Sequence, residues 1–251
     1  MAGVNILNLT YYVLHRRPYR ESSQIVDLFC EKQGRFSALH RVNKRNPALQ
    51  PFTPYQMQFS GRGDLKYCQH VEIVYPAIYT LSASLEDEPS IKGQSLKGKN
   101  LYCGFYLNEL IMRLTWKDEP QAELYQVYQQ TLQGLLQLEN DMQSEPLLRR
   151  FEFHLLAVMG YQYNWQQDNE CRDIQADQYY SFDPSSGFNL ITKNYAALPS
   201  HSFPGDAILA IAAEDWQHEL SWPVAKHIAR LALNPLLGNK PLASRELFKK
   251  I

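Results

Sequence analysis

Between residues 32 and 63 the chain carries six basic residues, Lys32, Arg35, Arg41, Lys44, Arg45 and Arg62, with His40 among them and no acid. The net charge of the whole chain is only −1, so this concentration is local. A one-signed patch of such density repels itself, and it is tolerated most readily where a polyanion neutralises it. Phe36, Phe52, Tyr55 and Phe59 run through the same stretch. Cations interleaved with flat rings suit single-stranded nucleic acid, with phosphates on Lys and Arg and bases stacked on the rings. Arg16, Arg17, Arg20 and Lys66 flank the stretch and join the candidate phosphate-holding set. The plainer alternative is a solvated strand face over core aromatics. Nothing in these residues separates ribose from deoxyribose, so an RNA-binding barrel stays open as an alternative.

Other chemistries find little support. The chain lacks a glycine-rich loop followed by Lys-Ser/Thr, and it has neither GxGxxG nor GxSxG. The seven histidines are scattered; His15 and His40 could meet in a barrel, but satisfied or surface histidines are the commoner outcome. Glu145 and Arg149 have the i,i+4 spacing of a helix-surface ion pair. Arg62-Gly63-Asp64 is read as a turn. The expectation is therefore a non-enzymatic protein with no catalytic residues and no cofactor. The four cysteines, 30, 68, 103 and 171, are far apart and form no CxxC pair, which suits buried thiols in a reducing compartment. Cys171 alone cannot make a four-ligand zinc site, so no metal is expected.

The elements that must position these residues come next. A chain of 251 residues suits one large domain or two small ones. Residues 1–80 hold ten Lys/Arg against five Asp/Glu, and residues 81–251 hold fifteen against twenty-one, an asymmetry that argues for two parts with different tasks. Apolar runs at 7–15 and 25–30, a turn at 31–34 into 35–42, period-two alternation at 55–60 and a turn at 61–64 into 65–74 predict five strands. Five closely spaced strands suit a small OB-type barrel, with an SH3-like barrel as the rival count. Residues 81–100 are polar and turn-rich and predict a linker or long loop. Apolar spacing of three and four predicts helices at 101–116, 121–138 and 147–159, the last closed by Gly160. Residues 161–204 are read as irregular. Helices follow at 206–219, 222–237 and 244–250. The predicted class is α+β: an N-terminal OB-type five-stranded barrel at 1–80, a helical domain at 101–160, and C-terminal helices at 205–251 that pack on it. No apolar run reaches the ~20 residues of a membrane span, and the N-terminus does not read as a signal peptide. A cytoplasmic, nucleoid-associated protein is the expectation.

Five stretches in order carry a family resemblance: LQPFTP at 49–54, GRGDLK at 61–66, YLNELIMRL at 106–114, LRRFEFHLL at 148–156 with Gly160-Tyr161, and KPLASRELF at 240–248. Together they resemble the RecO family of bacterial recombination mediators. The resemblance implies an N-terminal OB-fold, a central helical domain and a C-terminal part that packs back on it. It also implies binding of single- and double-stranded DNA, annealing of complementary strands and, with RecR, help for RecA in displacing single-stranded-DNA-binding protein. A protein-interaction adaptor working through the acidic half is the alternative class. The chain departs from the family where many members carry a four-cysteine zinc module after the GY dipeptide, since only Cys171 stands there. Its basic loop, RVNKRNPA, is also short.

The resemblance further implies binding of the acidic, Phe-ended tail of single-stranded-DNA-binding protein. Such a tail needs an apolar slot for the ring and a guanidinium for its carboxylates. The 147–159 helix offers Leu148, Phe151 and Leu155 along one side, with Arg149 and Arg150 beside it. The competing expectation is that the three apolar residues are core and that Arg149 pairs with Glu145.

Overall fold

Alternating side chains build the first body. In β1 (Thr10–Tyr19), β2 (Ser23–Cys30), β3 (Gly34–Arg41), β4 (Pro54–Ser60) and β5 (Leu65–Ile73), every second residue turns inward. Tyr11, Val13, Val26, Leu28, Cys30, Phe36, Ala38, Tyr55 and Met57 form one buried cluster, with Phe59, Cys68 and Val71 packed against it. The strands close in the order β1-β2-β3-β5-β4, with β4 returning to β1. All neighbours are antiparallel except β3 and β5. This is a closed OB-type barrel. The computed structural model describes residues 9–61, 65–74, 95–138, 144–192 and 201–248. Arg62, the 62–64 part of the predicted turn and residues 81–94 of the predicted linker lie outside the described residues.

Strand β1 runs four residues past its predicted end. A bulge between Val13 and His15 inserts Leu14 and shifts the alternation, so 15–19 continue as strand with their faces exchanged. At the bulge, a helix donates to the backbone carbonyls. From α1 (Gly98–Leu114), buried Asn108 donates from Nδ2 to the carbonyls of Leu14 (2.9 Å) and Val13 (3.3 Å). Tyr128 of α2 (Ala122–Gln137) donates its hydroxyl to Asn108 Oδ1 at 2.7 Å. Tyr125, one turn earlier, donates to the Thr10 carbonyl at 2.9 Å. Tyr125 and Tyr128 also pack on the outward rings of Tyr12 and Phe29, with centroids 5.4 to 5.9 Å apart.

The chain divides into two units, residues 1–139 with 242–251, and residues 140–241. The barrel therefore shares a unit with α1, α2 and the last described helix, where the sequence predicted a barrel at 1–80 and a separate helical domain at 101–160. That last helix, α6 (Ala243–Phe248), packs on α1, which lies almost wholly within the predicted helical domain. In the second unit α3 (Ser144–Val158) packs on α5 (Ser221–Leu237), and α4 (Gly205–Ala212) also lies against α5. Gly160 takes φ +90°, and Tyr161 N–H returns to the Leu156 carbonyl at 2.8 Å, closing α3 as the sequence predicted.

The segment predicted to be irregular is largely ordered structure. It carries a three-stranded antiparallel sheet in the order β7-β6-β8, from β6 (Tyr179–Asp183), β7 (Gly187–Leu190) and β8 (Ser202–Pro204). Before it, residues 164–174 form a knuckle held by Asp168. Its Oδ1 accepts the N–H groups of Glu170 and Arg172, and its Oδ2 accepts Arg172 Nε at 2.8 Å. Burial opposes ionisation of Asp168, but these hydrogen bonds and the Arg172 charge more than offset it and hold its carboxyl below the usual range. Trp165 packs between Phe153 and Phe188. Among the described residues, no group of three or more His, Cys, Asp or Glu is placed to hold a metal ion. Also among them, no helix is long and apolar enough to cross a membrane.

Candidate nucleic-acid interface

The register of the barrel sorts the basic residues. Tyr19 pairs with Ser23 and Ser23 with Arg41, so the β1–β2 turn and the exit of β3 lie at one end of the barrel. The 42–53 loop joins them there. Val42 N–H bonds the Ser22 carbonyl at 2.8 Å, and Arg16 Nη1 bonds the Leu49 carbonyl at 2.8 Å. His40 Nε2 sits 3.1 Å from the Pro47 carbonyl. Burial lowers the pKa of His40, with that carbonyl opposing, so at neutral pH it is an uncharged strut of the loop. Asn43 Oδ1 accepts the N–H groups of Arg45 and Asn46, an Asx turn that presents Lys44 and Arg45 to solvent. Phe52 anchors the far end against Phe105, above Gly104, where a Cβ would collide with its ring.

Arg16, Arg17, Arg20, Arg41, Lys44 and Arg45 thus share one rim and are all exposed. Glu21 is the one acid within 16–22 and 41–50. Arg20 also lies over the Tyr19 ring, at 5.2 Å from its centroid. Lys66 is elsewhere. It turns inward from β5 and lies 4.2 Å over the buried Phe36 ring, near Gln33. Arg35 leaves the candidate set altogether. It is buried, donates from Nη2 to the Thr115 carbonyl at 2.7 Å, and cannot reach a phosphate without unfolding that contact.

The aromatics of the sequence reading are corrected in the same way. Phe36, Tyr55 and Phe59 belong to the barrel core, where Phe36 and Phe59 meet each other and Tyr11 edge-on, and they offer no face to a base. Phe52 is the loop anchor. The accessible rings are others. Outward residues opposite the core positions form rows across the strands: Tyr19, Ser23 and Arg41; then Arg17, Ile25, Leu39 and Tyr67; then His15, Asp27 and Ser37. Tyr67 is 48% exposed, Tyr19, Ile25 and Leu39 are half-buried, and Arg17 and Arg41 share their rows. His15 Nδ1 is 3.6 Å from Asp27, whose other oxygen accepts Ser37 Oγ at 2.6 Å. His15 and His40 consequently point to opposite sides of the sheet and do not meet. Sequence reasoning missed Tyr19 and Tyr67, although strand parity relative to Phe36 and Ala38 carries the signal for the β3 face.

The expected tail slot on α3 is closed. Leu148, Phe151 and Leu155 are buried core residues, so no ring can enter between them. Arg149 is buried and held by Glu152 at 2.8 Å and by Glu145 at 4.0 Å, as the i,i+4 alternative anticipated. Arg150 is exposed and ion-paired with Glu214, a partner 64 residues away that sequence spacing could not show.

A closed five-stranded barrel in this strand order, with six exposed cations on one rim, defines a class, the OB-type barrels. Comparison with known proteins is specific. The chain matches the family models described as Recombination protein O N terminal, over residues 5–77, and Recombination protein O C terminal, over residues 96–210. It is 36% identical over 243 residues to a DNA repair protein RecO of Marinobacter nauticus, covering 94% of this chain and 92% of that one. It is 37% identical over 246 residues to a DNA repair protein RecO of Alteromonas mediterranea, covering 96% of each chain. A Pseudoalteromonas atlantica protein of the same description is 36% identical over 248 residues, with 96% and 94% covered. The chain belongs to the RecO family, and its role is in DNA repair and recombination.

Proposed function

We propose that this protein is a non-enzymatic recombination mediator that binds single- and double-stranded DNA on its barrel and anneals complementary strands. The observation that carries this reading is the outer face itself: Ile25, Leu39 and Tyr67 follow Arg17 in one row, Tyr19 and Arg41 stand in the next, and the rim there holds four more cations. Annealing asks that backbone repulsion be neutralised while base edges stay free. Arginines set beside flat and aliphatic groups on one face meet both needs. The family resemblance supports RecR as a partner and RecA loading on DNA coated by single-stranded-DNA-binding protein as the setting, in the cytoplasm at the nucleoid. The buried row Leu148, Phe151 and Leu155 takes no part.

The test is strand annealing and single-stranded DNA binding across a salt series. Each single-strand phosphate contact contributes ~0.7 to the log–log slope. Changing Arg17 and Arg41 together to alanine should flatten the slope by about 1.4 and slow annealing, with the fold intact. An unchanged slope in the folded double variant would take the DNA off this face. Equal binding of a matched RNA strand, with no annealing of DNA, would favour an RNA-binding barrel instead.

A further inference from the structure

Trp116 is 77% exposed in the short connection between α1 and α2. The connection is fixed on both sides of it. Thr115 N–H bonds the Ile111 carbonyl, and its own carbonyl accepts Arg35 Nη2. Lys117 bridges Arg35 in parallel, and Asp118 N–H bonds the Arg35 carbonyl at 2.8 Å. Strand β5 begins its pairing with β3 only at Ser37, so this segment occupies the edge of β3 that β5 leaves open. Gly34 permits the approach, since a Cβ there would lie 1.8 Å from the Glu119 carbonyl oxygen. Lys117 Nζ then reaches Ser37 Oγ at 3.2 Å, in the row next to Leu39 and Tyr67. A Trp held in water by a rigid frame forgoes the burial that makes its large ring valuable to a fold. None of the contacts that fix the connection uses the indole.

We propose that Trp116 is a base-stacking platform for single-stranded DNA, at the end of the barrel opposite the basic rim. This rests on the reading of the outer face as the DNA interface. From Arg41 to Ser37 is roughly 13 Å along β3, at about 3.3 Å per residue, so a strand held at the rim and crossing Leu39 and Tyr67 reaches the Lys117 side of the barrel. Asp118 and Glu119 follow Trp116 and repel phosphate, so the contact there falls on a base, with Lys117 as the nearest cation along the chain. Stacking is uncharged, and its contribution is therefore the same at every salt concentration.

The experiment measures binding of an oligothymidine of about 16 nucleotides, the upper site size of one such barrel, and of an abasic strand of equal length. Trp116→Ala should weaken oligothymidine binding roughly tenfold, the effect of losing one stacked base, with the salt slope unchanged. Trp116→Phe should restore most of the loss, and the abasic strand should bind both variants like the parent. Melting curves should coincide, since the indole is exposed. Parent-like oligothymidine binding by Trp116→Ala, beside a flattened slope for the Arg17/Arg41 variant, overturns the stacking role and leaves Trp116 as a contact for a protein. A loss shared by the abasic strand overturns it too, as an effect on loop geometry. An unchanged slope in the Arg17/Arg41 variant, by contrast, strikes the interface reading itself.

Discussion

Arg35 and Arg41 stand at opposite ends of β3, and their surroundings decide what each can do. Arg41 is exposed at the rim. Arg35 is enclosed by the 115–118 segment, where burial lowers its pKa and Asp27 and Asp118 oppose that shift only in part. Removing its guanidinium strands the buried Thr115 carbonyl, at a cost of about 1–3 kcal/mol. Arg35→Ala should therefore lower the denaturation midpoint while leaving the salt slope of DNA binding as it was, the reverse of the Arg17/Arg41 pair. A flattened slope with full stability would return Arg35 to the phosphate set. Composition showed six cations and four rings in one stretch, but not which were inside. Parity alone separates Phe36 from Arg35 and Arg41. What parity cannot supply is the covering of Arg35, because Thr115 is 80 residues away. The pairing of Arg150 with Glu214 is hidden from local sequence for the same reason.

At the scale of elements, periodicity located every described strand of the barrel and every described helix, and it failed where the period itself slips. Leu14 is the extra residue that exchanges the faces of β1, so His-Arg-Arg-Pro-Tyr does not look like the continuation of an apolar strand. Strands β6 to β8 are three to five residues long and escape a search for long alternating runs. Helix α4 stops at Ala212, short of its predicted end, and Glu214 at φ +54° breaks the helical path. Helix α6 is attached by a device that periodicity does not express. Glu109 of α1 accepts the N–H groups of Ala243 and Ser244, at 2.9 and 2.8 Å, and the Ser244 hydroxyl. Partial burial works against its charge, but these donors and Arg113 prevail and hold its carboxyl below the usual range. A carboxylate of depressed pKa stabilises the fold above the unfolded value of about 4.3, and this contribution is lost as pH falls through the lower folded value. Glu109→Gln should accordingly cost about 1–2 kcal/mol at pH 7 and almost nothing below both values. Denaturant titrations of parent and variant at the two pH values would show the gap closing, and a gap that persists in acid would assign the effect to packing.

At the scale of the whole molecule, charge is divided as the sequence implies, with an excess of cations in residues 1–80 and of acids beyond. The second unit has a knuckle fastened by Asp168 and Arg172, in which Cys171 is an exposed free thiol. Purified protein should contain no stoichiometric zinc and should melt at the same temperature with chelator present, while Asp168→Ala should lower the midpoint. About one zinc per chain by elemental analysis would refute this. The bulge at Leu14 has a consequence for anyone who would borrow the barrel as a freestanding part. The Val13 and Leu14 carbonyls accept Asn108, and the rings of Tyr12 and Phe29 are roofed by Tyr125 and Tyr128. A piece ending at residue 80 would carry bare aromatic surface and two thirsty carbonyls, and would clump; the smallest transplantable fragment runs through the second helix.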